Sequence, residues 1–460
     1  MWWNRLKSIW TAPDLRKKIL ITLGILIIYR LAANIPVPGI SPSTVNSALA
    51  KNPNLSQIVG LLSIFSGGSI QNFSIVSLGV YPYITASIVI QLLQQIVPAL
   101  QRITLEGGDA AQERLSQITR YLSVPLAFLQ GFGQLTLFAS IGAISASSFN
   151  LLNGSTFVPT ITMLVTLTAG VMFVVWLGEL ITENGIGNGI SILIFVNILS
   201  PLTQSISQYF LSNGIGSNST GTNATSSLIQ FIFFLIVTIL LTVILTYVTL
   251  ADRRVPVQYP SKNVLGARRA MLDSNQRSYV PIKLNMGGMI PLIFAQSIMV
   301  FPTIVSSYLS VPQDKIGWLR NLSSWVQLNI TPSAVWYPYA YFIVIVFFTF
   351  FYAETLFEQQ RLGENLRKQG AFVTGYRPGD ATESYLRRIM WRVTLWGALS
   401  LAIISVVTFF IPGFKIAYSS SSATGFLTAA SLIIVVQVGI DTIKQVEANL
   451  LTSNYSGFLS

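Results

Sequence analysis

The chain has 460 residues, of which 52% are hydrophobic and only 10% charged, against about 25% charged in soluble domains. That excludes a soluble protein, and long uncharged apolar stretches are those of membrane helices, since a membrane barrel shows short alternating segments instead. With no cysteine and no histidine, disulfides and thiol chemistry are excluded too, and the usual imidazole-based metal and haem sites lose their commonest ligand, so catalysis by those routes is closed; no metal, cofactor or catalytic residue is assigned.

Hydropathy over windows of about 19 residues predicts ten spans. They are Ile19–Ile35, Ser77–Val97, Tyr121–Ala143, Thr160–Leu180, Ile190–Leu211, Leu228–Leu250, Met289–Leu309, Trp336–Leu356, Val393–Phe410 and Phe426–Ile443. The first has a basic flank like a signal peptide, but Arg30 interrupts it and no small-residue cleavage site follows, so it reads as a retained helix. Ile58–Ile64 is too short to span and is broken by Gly67, Gly68 and Ser69. It suits either a half-helix folding back into the bundle or a helix lying at the interface.

Of the 28 Lys and Arg, 23 fall in the termini and even-numbered loops, four in the opposite loops (Lys51, Lys315, Arg320, Lys415), and one, Arg30, in the first span. The positive-inside rule therefore puts both termini in the cytoplasm. Two cytoplasmic loops, Ala251–Asn285 and Phe357–Arg392, are long and Arg-rich. Anchoring the topology would explain such charge, but their length points to a docking surface. The external stretch Ser212–Ser227 is neutral and rich in Ser, Thr, Asn and Gly, a composition that suits a flexible linker.

A secondary transporter or pump needs titratable groups at mid-membrane. Glu179, Glu354 and Asp441 instead sit at the cytoplasmic ends of the fourth, eighth and tenth spans, and Arg30, near the outer end of the first, is expected to snorkel. What remains at depth is isoleucine at helical spacing: Ile84 and Ile88, Ile190 and Ile194, Ile290 and Ile293. Such pairs ordinarily face lipid or pack, although rings of apolar side chains also close aqueous paths by dewetting them. Thr85, Ser87, Gln130 and Asn285 are isolated uncharged polar groups suited to interhelical hydrogen bonds.

The stretches PDLRKKILITLGILIIYRLAANIPVPGI, FSGGSIQNFSIVSLGVYPYITASIVIQLLQQIVPAL, TAGVMFVVWLGELITENGIGNGISILIF, RRVPVQYP, YVPIKLNMGGMIPLIFAQSIMVFP, GENLRKQGAFVTGYRPG and GIDTIKQVEANLL stand out together. They resemble the SecY family, the channel subunits of the general protein translocase. The resemblance implies an all-α polytopic membrane fold of two inverted halves, residues 1–211 and 212–460, around an hourglass pore with a lateral gate. It implies that Gly60–Phe73 is a plug, with Gly60, Leu61, Leu62, Ile64, Phe65, Gly67 and Gly68 in it. Ile84, Ile88, Ile190, Ile194, Ile293 and Ile434, beside Ile433, match the pore ring; Ser87, Gln130 and Asn285 match the gate's polar cluster. Arg253, Arg254 and Arg377 match the loop residues that engage the SecA motor or the ribosome.

The chain departs from the family pattern in its less basic loop LEGGDAAQERLSQITR, in VTGY before Arg377, and in GFLTAASLII before the last span. The implied partners are the small subunits SecE and SecG, SecA, the ribosome, secretory precursors with signal sequences, and membrane lipid. No G-x-x-x-x-G-K-[ST] loop is present, so the energy for transport must come from a partner. The alternative reading is an ion-coupled secondary transporter of small solutes.

Overall fold

The computed structural model describes residues 13–51, 66–70, 72–106, 109–140, 154–200, 222–258, 279–309, 334–410 and 429–456, with Asn321, Trp325, Val326 and Asn329 besides. Within them, each expected span coincides with a helix. Helices α1 (Pro13–Ala32), α2 (Pro42–Lys51), α3 (Tyr81–Ile96) and α4 (Pro98–Glu106) are followed by α5 (Asp109–Ser140) and α6 (Gly154–Asn184). Next come α7 (Gly189–Ser200) and α8 (Thr222–Leu250), then strands β1 (Asp252–Gln258) and β2 (Tyr279–Lys283). Helices α9 (Ile290–Leu309), α10 (Tyr337–Gln360) and α11 (Leu362–Lys368), strand β3 (Phe372–Val373), and helices α12 (Asp380–Phe410) and α13 (Ala429–Ser456) complete the order. Among the described residues, four helices are long and apolar enough to cross a membrane; they lie in Ala110–Ala139, Phe157–Asn184, Tyr337–Lys368 and Asp380–Val407.

Several boundaries differ from the hydropathy reading, each for a local reason. α1 already runs from Pro13, ahead of Ile19, and takes in the charged Asp14 and Arg16–Lys18 that a hydropathy window leaves out. α3 starts at Tyr81 rather than Ser77, since Ser77–Val80 form turns with Gly79 at φ 55° and Pro82 opens the helix. α12 starts at Asp380, well before Val393, with Asp380 and Glu383 in its first turn. Its charged opening is invisible to a hydropathy window but is good helix sequence. Most of the expected loop Phe357–Arg392 is therefore ordered as helix, turn and short strand.

The chain packs as two compact units: Met1–Val237 with Ser297–Pro338 and Thr408–Ser460, and Thr238–Gln296 with Tyr339–Val407. In the first, α3 packs along α5, α5 along α6, and α1 against α6. Their core gathers Val37, Phe73, Leu135, Phe138, Leu164 and Leu167. In the second, a three-stranded antiparallel sheet of order β2-β1-β3 sits beside the ends of α10 and α12. Val255 and Val257 alternate inward from β1 to join Ile282, Phe357, Leu366, Leu386 and Met390. This sheet is absent from the sequence reading because Pro256 and Pro281 interrupt what would otherwise be short alternating strands.

Close approach in the first unit depends on glycine. A β-carbon on Gly170 of α6 would overlap the Ile75 carbonyl, whereas one on Gly24 of α1 would meet nothing within 4 Å. Gly170→Ala is expected to lower the melting temperature of the detergent-solubilised protein by the equivalent of about 1–3 kcal/mol, as overpacking does. Gly24→Ala should leave it unchanged or raise it by up to ~1 kcal/mol, the helix-propensity gain.

Candidate functional site

In the first unit, the stretch between Ser66 and Val80, apart from residue 71, forms turns and not a regular helix. Gly67 and Gly68 take φ of 66° and 82°, and Phe73 takes 43°, a left-handed conformation that a bulky residue keeps only under tertiary constraint. That constraint is visible: Phe73 is fully buried and meets Phe138 edge-on at 4.8 Å. Backbone bonds Val37 N to Phe73 O and Ile75 N to Ile35 O, each 2.9 Å, stitch the stretch to the chain leaving α1. Ser69 is buried and its hydroxyl donates to the carbonyls of Ser66 (2.6 Å) and Val76 (3.2 Å). Of the expected plug residues, Gly67 and Gly68 lie here; Gly60, Leu61, Leu62, Ile64 and Phe65 lie outside the described residues.

Arg30 does not follow the snorkelling expectation. Its guanidinium donates to the Gly67 carbonyl (3.2 Å) and to the Val196 carbonyl on α7 (2.5 Å). Next to it, the buried Tyr29 hydroxyl donates to Asn197 Oδ1 at 2.7 Å. The lone Arg in an apolar span was the sequence signal, since a charge at depth calls for a named partner.

The expected ring residues lie on three helices of the first unit and one of the second. Ile84 and Ile88 of α3, Ile194 of α7 and Ile434 of α13 are buried, and Ile190 is half-buried. Ile293, on α9 in the second unit, is buried as well. The three expected gate residues make different bonds. Gln130 donates to Thr85 Oγ1 at 3.1 Å, Ser87 accepts from Gln91 at 3.2 Å, and Asn285 donates to the Gly288 carbonyl at 3.0 Å.

The acidic span ends are engaged. Glu179 pairs with Arg120. Glu354 binds Arg387 (3.2 Å) and the Trp391 indole (2.7 Å), and Arg387 also reaches Glu358 at 3.4 Å, tying α10 to α12. In the second unit the three arginines expected to dock a partner stand on ordered supports. Arg253 is exposed on β1 and lines a cavity of about 420 Å³ with Arg392, Leu284, Val393 and Trp396. Arg254 pairs with Asp252 at 3.3 Å and lies over the Tyr279 ring at 4.9 Å. Arg377 is exposed at a turn tip between Gly375 and Gly379, both at positive φ, and its carbonyl accepts from Thr382 Oγ1 at 2.7 Å. Tyr376 stacks on Tyr385, centroids 4.0 Å apart, which fixes the turn to α12. On α11, a hydrogen bond from Lys368 (3.0 Å), and then its charge, hold the Glu364 carboxyl below the usual range, so the helix carries a persistent anion among its cations.

Among known proteins, the SecY family model matches residues 74–443. A protein translocase subunit SecY of Streptomyces scabiei is 36% identical over 97% of both chains. Among solved structures, a SecY channel whose plug domain stabilises the closed state and maintains a membrane seal aligns with a TM-score of 0.60 at 16% identity, covering 95% of this chain and 93% of that one. Sec61 in the canine ribosome–channel complex from the endoplasmic reticulum aligns with 0.57 at the same identity and coverage. The apolar helices, the loop folded in among them and these matches over nearly the whole length agree: the chain is a multi-pass membrane protein and belongs to the SecY family.

Proposed function

We propose that this chain is the channel subunit of a protein translocase, passing unfolded secretory polypeptides across the plasma membrane and releasing hydrophobic segments sideways into lipid. The observation that carries this reading is membership of the SecY family combined with a turn-rich stretch seated among apolar helices. A translocating polypeptide has peptide groups that cannot go unpaired in lipid, so it needs a wet path that is otherwise shut. On this reading Gly60–Phe73 is the plug, as a plug serves the SecY channel it resembles. Ile84, Ile88, Ile190, Ile194 and Ile434 line the constriction, Ile293 takes the remaining ring position, and residues 1–211 and 212–460 are the two inverted halves. Ser87, Gln130 and Asn285 take the polar positions of the lateral gate.

Apolar residues suit such a constriction because they exclude water at rest yet hold no passing segment strongly. Replacing Ile84, Ile190 and Ile293 together by serine is expected to raise resting ion conductance in planar bilayers several-fold, while leucine at the same positions leaves it near the parent value. A triple-serine channel as tight as the parent would remove these residues from the seal.

Both termini and the long basic loops face the cytoplasm, where SecA or a ribosome supplies the energy and SecE and SecG complete the complex. Sec61 is found in a complex with the ribosome, and the ordered supports of Arg253, Arg254 and Arg377 favour docking over mere anchoring. Arg377→Glu removes one of 23 cytoplasmic-side cations, too few to invert the topology. We expect it to insert and stay closed at rest while precursor-stimulated ATP hydrolysis by SecA falls about tenfold or more, with Arg377→Lys intermediate because a point charge lacks the planar fork. Unaltered stimulation in the Glu variant would return Arg377 to the anchors.

A further inference from the structure

We infer that Arg30, Tyr29 and Asn197 clasp the turn at Gly67 and Gly68 and thereby set how hydrophobic a signal sequence must be to open this channel. The inference rests on the reading of this stretch as the plug's base. Three chain segments meet at the clasp, all in the first unit. Arg30 of α1 binds the carbonyl of Gly67 in the turn and that of Val196 in α7, so one guanidinium ties the turn to two helices. Tyr29, fully buried beside it, holds the Asn197 side chain through a 2.7 Å hydrogen bond. Asn197 in turn abuts the turn: a β-carbon on Gly67 would press on its side-chain oxygen and on its Cα. Only glycine fits there, both for that approach and for the φ of 66°.

Withdrawing the turn would strip the Gly67 carbonyl from a guanidinium that cannot shed its charge and lies amid apolar helices. A hydrogen bond to a charged group is stronger than a neutral one, so this contact adds a directional resistance to opening to that of the packing around it. The Tyr29–Asn197 bond acts one step back, keeping Asn197 where it shapes the seat. A signal sequence must offset both, and a weakly hydrophobic one fails.

This chain has no cysteine, so Ile70→Cys, at a buried apolar position of the turn, carries its only thiol, and labelling is read on this chain's band. In proteoliposomes holding the complete translocase, its reaction with a membrane-impermeant maleimide reports whether the turn is seated. In the otherwise parent background, a stalled precursor should speed the reaction. At rest, Tyr29→Phe should speed it about threefold, the worth of one interhelical hydrogen bond, and Arg30→Gln roughly tenfold. Both should lower the signal hydrophobicity needed in a graded precursor series, while Gly24→Ala on the same helix should not. If the precursor speeds labelling but both variants label and translocate like the parent, the clasp is refuted and the plug reading stands. If the stalled precursor leaves labelling at its resting rate, the plug reading itself fails and the inference with it. Should Arg30→Gln not insert, Tyr29→Phe, which removes a single oxygen, decides the outcome.

Discussion

The structure depends on one constraint: peptide groups inside a membrane must find partners within the protein. Helices meet it by themselves; the stretch from Ser66 to Val80 does not. Its turns are instead satisfied by the backbone at Ile35 and Val37, by the Ser69 hydroxyl and by the Arg30 guanidinium. Each of these partners fixes a neighbour. The bond to Ile35 brings Ile75 against α6, which is why α6 carries Gly170 at that point. The bond to Val37 holds Phe73 in its left-handed conformation over Phe138, and so seats the loop in the core of the first unit.

How much of this was legible in the sequence follows from which forces a sequence displays. Spans are written in hydropathy, and a helix lies at each expected one. A helix start written in charge, such as that at Asp380, falls outside a hydropathy window. The sheet was hidden by Pro256 and Pro281, because proline on a short strand erases the alternation that identifies it. Arg30 stood out as an isolated charge, but its partners are carbonyls of Gly67 and Val196, and a backbone acceptor has no signature in residue types. The polar groups Ser87, Gln130 and Asn285 were recognisable as polar in an apolar setting, while their bonds to Gln91, Thr85 and Gly288 depend on rotamers and turns that spacing does not specify.

On the proposed reading the second unit meets a different demand, that of docking a partner. A docking surface for a large partner has to be stiff, since every side chain immobilised on binding costs free energy. Its arginines are therefore mounted on short elements locked to α10 and α12 by the core around Phe357 and Leu386, by Arg387 between Glu354 and Glu358, and by the stacked pair Tyr376 and Tyr385. The exposed ion pairs add little energy individually. They act with the apolar core to hold geometry, and Arg254, paired with Asp252 and laid over Tyr279, is the most constrained of the three.

On the proposed reading, sealing and discrimination call for opposite physics, and the chain assigns them to different residues. A seal that must deform around many polypeptides has to be soft, and a ring of isoleucines is soft because dispersion contacts are weak, undirected and easily exchanged. For the same reason it cannot by itself impose a sharp threshold. A threshold needs a discrete set of directional contacts that are either made or broken, so that the equilibrium has two states and a ligand shifts it only by its differential affinity for them. The hydrogen bonds of Arg30 and Tyr29 have that character, and they engage the turn at Gly67 and its seat on α7 rather than the ring. Weakening them should therefore change which signals open the channel without changing how tightly the isoleucines close around what passes.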